Sequence, residues 1–125
     1  MRIKITLFFL LAGINLSSFA GNDNLPLGAR SAALAGASVT LSDLWSAQNN
    51  QAGLANLDTI EVGVYAERKF LLPQLGYNAF AGAIPIKGGT FGLTYTRFGY
   101  SKYNENKIGL AFAKKLGEHI SAGVQ

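Results

Sequence analysis

The chain has 125 residues, a formal net charge of +4, no cysteine and 49% hydrophobic residues. The absence of cysteine excludes a small secreted scaffold held together by disulfide bonds. The basic residues form no cluster larger than the pair Lys114 and Lys115, so the composition does not predict a nucleic-acid-binding protein.

The first 20 residues have the three parts of a secretory signal peptide. Arg2 and Lys4 give a positive start, residues 5–14 are largely apolar, and the small residues Ser18 and Ala20 form a cleavage site. The alternative is a membrane anchor, but a helical span needs roughly 20 predominantly apolar residues and this stretch is shorter. We therefore predict export, with residues 1–20 removed as a signal peptide.

The next region, residues 21–58, shows no sustained alternation of apolar and polar side chains. Its residues 24–56 are rich in Ala, Ser, Asn and Gly, and their only charged side chains are Arg30 and Asp43. Ser42 and Asp43 are both favourable N-cap residues, so one short helix is predicted to begin near them. The remainder of the region is predicted to be irregular.

Residues 59–125 are predicted to form five strands, at 59–68, 75–86, 90–99, 107–115 and 120–125. In the third strand, large apolar side chains at positions 91, 93 and 95 alternate with small ones, and the fourth strand repeats this pattern. Successive side chains of a strand point to opposite faces, so one face is bulky and apolar and the other is almost bare. The pattern predicts an all-β fold, an antiparallel transmembrane β-barrel with lipid on its bulky face. In residues 75–86 neither face is clearly bulky, and the sequence leaves the register of that strand open.

Charges and connections support the same prediction. The charged residues after position 59 lie at or near strand ends, as a bilayer would require, because Arg or Lys on the lipid face at mid-membrane costs about 2 to 4 kcal/mol. The predicted connections alternate between short (87–89, 116–119) and long (69–74, 100–106), which is typical of periplasmic turns and external loops. Aromatic residues gather around the two longer connections, a pattern typical of an interfacial girdle: Phe70, Tyr77, Phe98, Tyr100 and Tyr103.

Two alternatives concern how the strands are completed. A soluble sandwich would need a second sheet to cover the bulky face, and five strands leave little to build one. Single-chain bacterial barrels usually have an even number of strands from 8 upward, so five strands are too few to close one. We expect residues 59–125 to be the first strands of an incomplete barrel in a longer protein; a barrel assembled from several copies is the alternative.

Signals of catalysis are missing from the sequence. His119 is the only histidine and lies in a predicted turn, and no cysteine, metal-ligand spacing, phosphate loop or Gly-x-Ser-x-Gly elbow is present. We predict a protein that is not an enzyme and that holds no metal or other cofactor.

One motif precedes the first strand. Residues 25–30 read Leu-Pro-Leu-Gly-Ala-Arg, a run of small residues continues to Ser38, an acidic residue follows, and residues 50–55 read Asn-Gln-Ala-Gly-Leu-Ala. This arrangement resembles the N-terminal signature of the FadL-type outer-membrane barrels, and more closely that of the PorV/PorQ-like group linked to type IX secretion. The residues that carry the resemblance are Gly28, Ala29, Arg30, Gly36, Asp43, Asn50, Ala52, Gly53 and Leu54. Gln51 departs from the pattern, because the family usually has proline there.

The resemblance implies a bacterial outer-membrane barrel in which residues 21–58 form a plug, with Arg30 or Asp43 contacting polar groups of the lumen. A mutual or water-screened charge pair, without a transport role, is the alternative for Arg30 and Asp43. The implied function is protein secretion or surface attachment. Alternatives are FadL-like passage of small hydrophobic molecules and, from a different class, a secreted soluble β-domain used for adhesion. The partners expected are outer-membrane lipid and either components of a secretion system or a hydrophobic small molecule, but no nucleic acid.

Overall fold

The computed structural model describes residues 25–125, so the predicted signal peptide lies outside the described residues. The described chain is dominated by one antiparallel sheet of five strands in the order β1-β2-β3-β4-β5, which confirms the predicted all-β antiparallel fold class. The strands are β1 (Glu61–Arg68), β2 (Gly76–Ile86), β3 (Gly89–Tyr100), β4 (Tyr103–Lys115) and β5 (Ser121–Val124).

Short helices precede the sheet. They are α1 (Ala29–Ala33), α2 (Ser46–Asn49) and a 3-10 helix (Gln51–Asn56). The predicted helix near Ser42 or Asp43 therefore begins later, at Ser46, because residues 43–45 form a turn in which the Asp43 carboxylate accepts the N–H of Trp45 at 3.0 Å. Two further 3-10 turns, Lys69–Leu71 and Pro73–Leu75, connect β1 to β2. Among residues 25–125, no helix has both the length and the apolar character needed to cross a membrane.

The connection between β3 and β4 corrects a prediction. A loop was expected over residues 100–106, but Tyr100 pairs with Tyr103 and Phe98 pairs with Glu105, so only residues 101 and 102 lie outside the strands. Ladder hydrogen bonds join backbone groups and do not depend on side-chain polarity, so a polar stretch can continue a hairpin. The connections also do not alternate in length as predicted, since two consecutive ones, 87–88 and 101–102, have two residues each.

The two faces of the sheet differ in their side chains. One face, the small-residue face, carries mainly glycine, alanine and threonine: Gly63, Ala79, Ala81, Ala83, Thr90, Gly92, Thr94, Thr96, Gly109, Ala111 and Ala113. The other, the apolar face, carries large side chains: Val62, Val64, Phe80, Ile84, Ile86, Phe91, Leu93, Tyr95, Ile108, Leu110, Phe112 and Val124.

Strand β2 shows the register that the sequence left open. Ala79, Ala81 and Ala83 are buried on the small-residue face, whereas Phe80 and Ile84 are exposed on the apolar face. The sequence pattern of β2 is weak because Gly82 interrupts the row of large residues on its apolar side. The neighbouring strands supply the missing bulk there, since Gly82 pairs with Val62 on β1 and with Leu93 on β3.

Candidate functional site

Residues 25–58, the N-terminal segment, pack against the small-residue face. Two hydrophobic clusters make the contact. In the larger one, four side chains of the segment meet four alanines of the sheet: Leu44, Ala47, Leu54 and Leu57 pack with Ala81, Ala83, Ala111 and Ala113. In the smaller one, Leu27 packs with Tyr77 and Ala79. The segment therefore covers the small-residue face with its own leucines.

Leu54 belongs to the larger cluster. It is fully buried, and it sits directly over Gly92 of β3. A Cβ atom at Gly92 would lie 2.8 Å from Leu54 Cδ1 and 3.2 Å from the Cβ of Ala47. The glycine thus leaves the space that the leucine fills, and burying such a side chain contributes about 1.5 to 3 kcal/mol.

Trp45 anchors the segment at a second position, close to two glycines. Gly28 has a φ of 98°, a conformation that favours glycine, and a Cβ there would lie 2.5 Å from Trp45 Cδ1. On β1, a Cβ at Gly63 would lie 2.8 Å from Leu44 Cδ2 and 3.3 Å from Trp45 Cζ2. The indole is therefore held between the segment's own backbone and the sheet.

A chain of aromatic rings continues from Trp45 across the sheet. Trp45 and Tyr65 are 5.9 Å apart between ring centroids, Tyr65 and Tyr77 are 6.4 Å apart, and Tyr77 and Phe98 are 6.5 Å apart. All three pairs have edge-to-face geometry, which is favourable for aromatic side chains. Tyr77 and Phe98 were predicted to belong to an interfacial girdle, but they lie on the small-residue face and close one end of it.

Gln51 belongs to a polar network with Gln48, Thr94 and Gln125. Its amide nitrogen lies 3.2 Å from the Ala47 carbonyl oxygen and 3.2 Å from Gln125 Oε1. Gln125 in turn donates to Thr94 Oγ1 at 3.0 Å and to Gln48 Oε1 at 3.4 Å. The glutamine thus ties the segment to the sheet beside β4, a link that a proline side chain could not form.

Asparagine and serine side chains hold the segment in its fold. Asn49 bonds both backbone groups of Leu27, accepting its N–H at 2.8 Å and donating to its carbonyl at 2.9 Å. Asn50 donates to the Val39 carbonyl at 2.6 Å, and Ser46 donates to the Leu41 carbonyl at 2.8 Å. Gly53 lies against Ser46, where a Cβ would come within 2.6 Å of the serine oxygen. These bonds satisfy backbone groups that have no regular secondary structure.

The residues of the predicted motif occupy two different environments. Gly28, Gly53 and Leu54 are buried, and Asp43, Asn50 and Ala52 are half-buried, whereas Ala29, Arg30 and Gly36 are exposed. Asp43 makes the turn before α2, and Arg30 lies on the exposed side of α1. The motif therefore contributes packing and turns at its buried positions.

Sequence reasoning missed several residues that fix the segment: Leu27, Trp45, Gln48 and Asn49. Leu27 lay within the quoted motif, and Trp45 is the only tryptophan of the chain, which was a signal in itself. The roles of Gln48 and Asn49 depend on partners far away in the sequence, so no local pattern indicated them.

The apolar face lies open. Val62, Val64, Ile108 and Leu110 are each 72 to 80% exposed, and Phe91 is 53% exposed. The largest apolar patch on an ordinary soluble monomer is about 300 to 600 Å². Twelve large side chains from five adjacent strands form the apolar face, and aromatic rings are among them.

Within the described residues, no group of three or more His, Asp or Glu side chains could hold a metal ion. His119 is exposed in the connection between β4 and β5. The arrangement thus has the N-terminal segment packed on the small-residue face, and it leaves the apolar face exposed. Comparison of the chain with protein-family models, curated proteins and solved structures gave no match.

Proposed function

We propose that the chain forms part of the wall of an outer-membrane β-barrel, with lipid on the apolar face and the N-terminal segment as a plug on the small-residue face. The proposal rests on the observation that the N-terminal segment covers the small-residue face and not the apolar face. Leucines of the segment lie over glycines and alanines, while the large side chains of the same strands stay exposed.

A soluble protein would gain more by the opposite arrangement. Burial of apolar area contributes roughly 25 cal/mol per Å², so a segment of 34 residues would stabilise a soluble sheet most by covering Phe91, Leu93 and their neighbours. In a membrane this gain in free energy is lost, because lipid hydrocarbon chains already surround the large side chains. The small-residue face then becomes the surface on which the chain's own segment can approach the backbone closely.

The order of residues across the apolar face also supports the proposal. One row, Val64, Phe80, Tyr95 and Ile108, is apolar, and the next row towards the β3–β4 turn is Ala66, Asn78, Arg97 and Asn106. The Tyr95 hydroxyl donates to Asn106 Oδ1 at 2.9 Å, so this ring joins the apolar row to the polar one. Tyrosines with an apolar body and a wet hydroxyl are enriched where a membrane meets water.

The biological role that we favour is a non-enzymatic one in protein secretion or surface attachment, as in the PorV/PorQ-like group of the FadL superfamily. It rests on the motif at residues 25–55, whose buried members Gly28, Gly53 and Leu54 hold the segment in place. Passage of small hydrophobic molecules past the plug is the competing role within the same fold.

The membrane proposal is tested on the protein expressed from its own gene. We expect it in the outer-membrane fraction, extractable only with detergent, with gel mobility that changes on heating because a barrel stays folded in cold detergent. Recovery of the folded protein from the soluble fraction without detergent would contradict the proposal and favour a secreted soluble β-domain.

The role is tested by deleting the gene. Loss of export of cargo proteins, with normal growth on hydrophobic substrates, is the expected result for secretion. The reverse result would favour passage of hydrophobic molecules. Removal of residues 25–56 from the plug should raise permeability to small solutes, and unchanged permeability with an intact barrel would contradict the plug assignment.

A further inference from the structure

A cleft of about 470 Å³ lies beside the apolar face, at the end where β1 leads into β2. Its lining includes Arg68, Asn78, Pro73 and the two glycines Gly76 and Gly99. The glycines are neighbours on adjacent strands, since a Cβ at Gly76 would lie 3.7 Å from the Gly99 carbonyl oxygen. They leave the floor of this cleft, the arginine cleft, without side chains.

Arg68 lines the cleft, and Arg97 lies just outside its lining on the same side of the sheet. Arg68 of β1 pairs with Gly76, and Arg97 of β3 pairs with Asn78, two residues further along β2. Strands are about 4.8 Å apart and rise about 3.3 Å per residue, which places the two Cα atoms roughly 12 Å apart. Two arginine side chains are together long enough to span that distance, and Asn78 lies on the strand between them.

The signs of charge are sorted between the two faces at this end. Arg68 and Arg97 are exposed on the side of the apolar face, and neither has an ion pair or hydrogen bond from its side chain among residues 25–125. Glu67 also lines the cleft, but its carboxylate accepts the Tyr65 hydroxyl at 2.9 Å on the small-residue side. Glu105 likewise accepts the hydroxyl of Tyr103. The outer side of the cleft is therefore cationic.

The cleft lies where lipid headgroups would be if the apolar face contacts lipid. Arg97 is one row beyond Tyr95 and Ile108, so it borders the apolar surface. Guanidinium groups bind phosphate oxygens in a bidentate manner, and an amide supplies a further donor. We infer that the arginine cleft binds the phosphate group of a membrane lipid, an inference that rests on the proposed membrane location.

The test uses the whole protein purified in a neutral detergent, with its binding of phosphatidic acid measured by native mass spectrometry. Phosphatidylcholine is the neutral-headgroup comparison, and inorganic phosphate is added as a free competitor. We expect Arg68→Gln and Arg97→Gln each to weaken phosphatidic acid binding about tenfold, because each variant loses a charged hydrogen-bond donor to the phosphate; tenfold corresponds to about 1.4 kcal/mol. Lys114→Gln, which removes an exposed cation at the opposite end of the apolar side, should leave the affinity unchanged.

Three results would overturn the inference. They are equal binding of phosphatidic acid and phosphatidylcholine, equal loss in the Lys114 variant, and displacement of the lipid by inorganic phosphate at comparable concentration, which would indicate a site for free phosphate. Failure of the lipid site and failure of the membrane proposal give different results. If the protein fractionates with the outer membrane but its lipid binding does not depend on the arginines, the membrane proposal stands and the lipid site is contradicted. If the protein is recovered from the soluble fraction and its binding still depends on the arginines, a phosphate site stands and the membrane proposal is contradicted.

Discussion

The two faces of the sheet are built from alternate residues of the same strands, yet they are completed in opposite ways. The small-residue face is covered by the chain's own N-terminal segment, in which Leu54 lies over Gly92 and Trp45 lies against Gly63. The apolar face, with Leu110 and Val64 among its most exposed side chains, is covered by nothing in the described residues. The segment therefore packs where small residues allow close approach to the backbone, and the larger apolar area stays exposed.

The largest effect is expected from a cavity under the segment. Leu54→Ala removes a fully buried side chain, and such truncations destabilise by about 2 to 5 kcal/mol because the surroundings relax only in part. Urea unfolding of the protein in lipid vesicles measures the loss. The control is Leu34→Ala on the exposed side of the same segment, which should change the free energy of unfolding by less than about 0.5 kcal/mol. Equal losses in the two variants would mean that the packing on the small-residue face does not stabilise the fold.

A charge on the apolar face should have a somewhat smaller effect. Leu110 is 74% exposed in the middle row of that face, so Leu110→Arg is harmless in water but costs about 2 to 4 kcal/mol if the residue faces the centre of a bilayer. The measurement is the free energy of unfolding from lipid vesicles. Leu116→Arg, in the connection between β4 and β5, is the matched control and should have little effect. No difference between the two variants would place the apolar face in water.

The smallest effect on stability is expected when one glycine on each face is replaced by valine. A valine at Gly92 would collide with Leu54 and Ala47, and overpacking of this kind costs about 1 to 3 kcal/mol. At Gly82 on the neighbouring strand the nearest side-chain atom to a Cβ is Val62 Cγ1 at 3.8 Å, an ordinary contact, so Gly82→Val should be neutral or slightly stabilising. Thermal unfolding of both variants in detergent tests this pair. Similar losses at both positions would show that the two faces are packed alike.

The strands were predictable to within a few residues because their alternation is local. In β3 and β4 large and small side chains alternate without interruption through the middle of each strand, and those parts were placed correctly. The start of β4 was missed, since Asn104, Glu105 and Asn106 are polar on both faces and resemble a loop. Their pairing with β3 comes from backbone hydrogen bonds, to which polarity gives no guide.

The candidate site was predictable only in part. Leu54 and Gly53 were identified with the motif, and both are buried, but Arg30 is exposed and Trp45 and Leu27 were not among the candidates. Arg30 was a candidate because it is charged. Contact with the sheet depends instead on which part of the N-terminal segment faces the sheet. The turn at Asp43 and the bonds of Asn49 to Leu27 set that orientation.

The sequence by itself determined that the sheet has two unlike faces, because side chains of a strand alternate with a period of two whatever lies around it. It also determined an all-β antiparallel fold, since short apolar strands separated by glycine-bearing turns pair with their neighbours. Only the tertiary structure decided which face the N-terminal segment covers, and it decided the register of β2, whose own residues are nearly balanced between the faces. Both depend on contacts between residues distant in the chain, where the space left by Gly63 and Gly92 meets the side chains of Trp45 and Leu54.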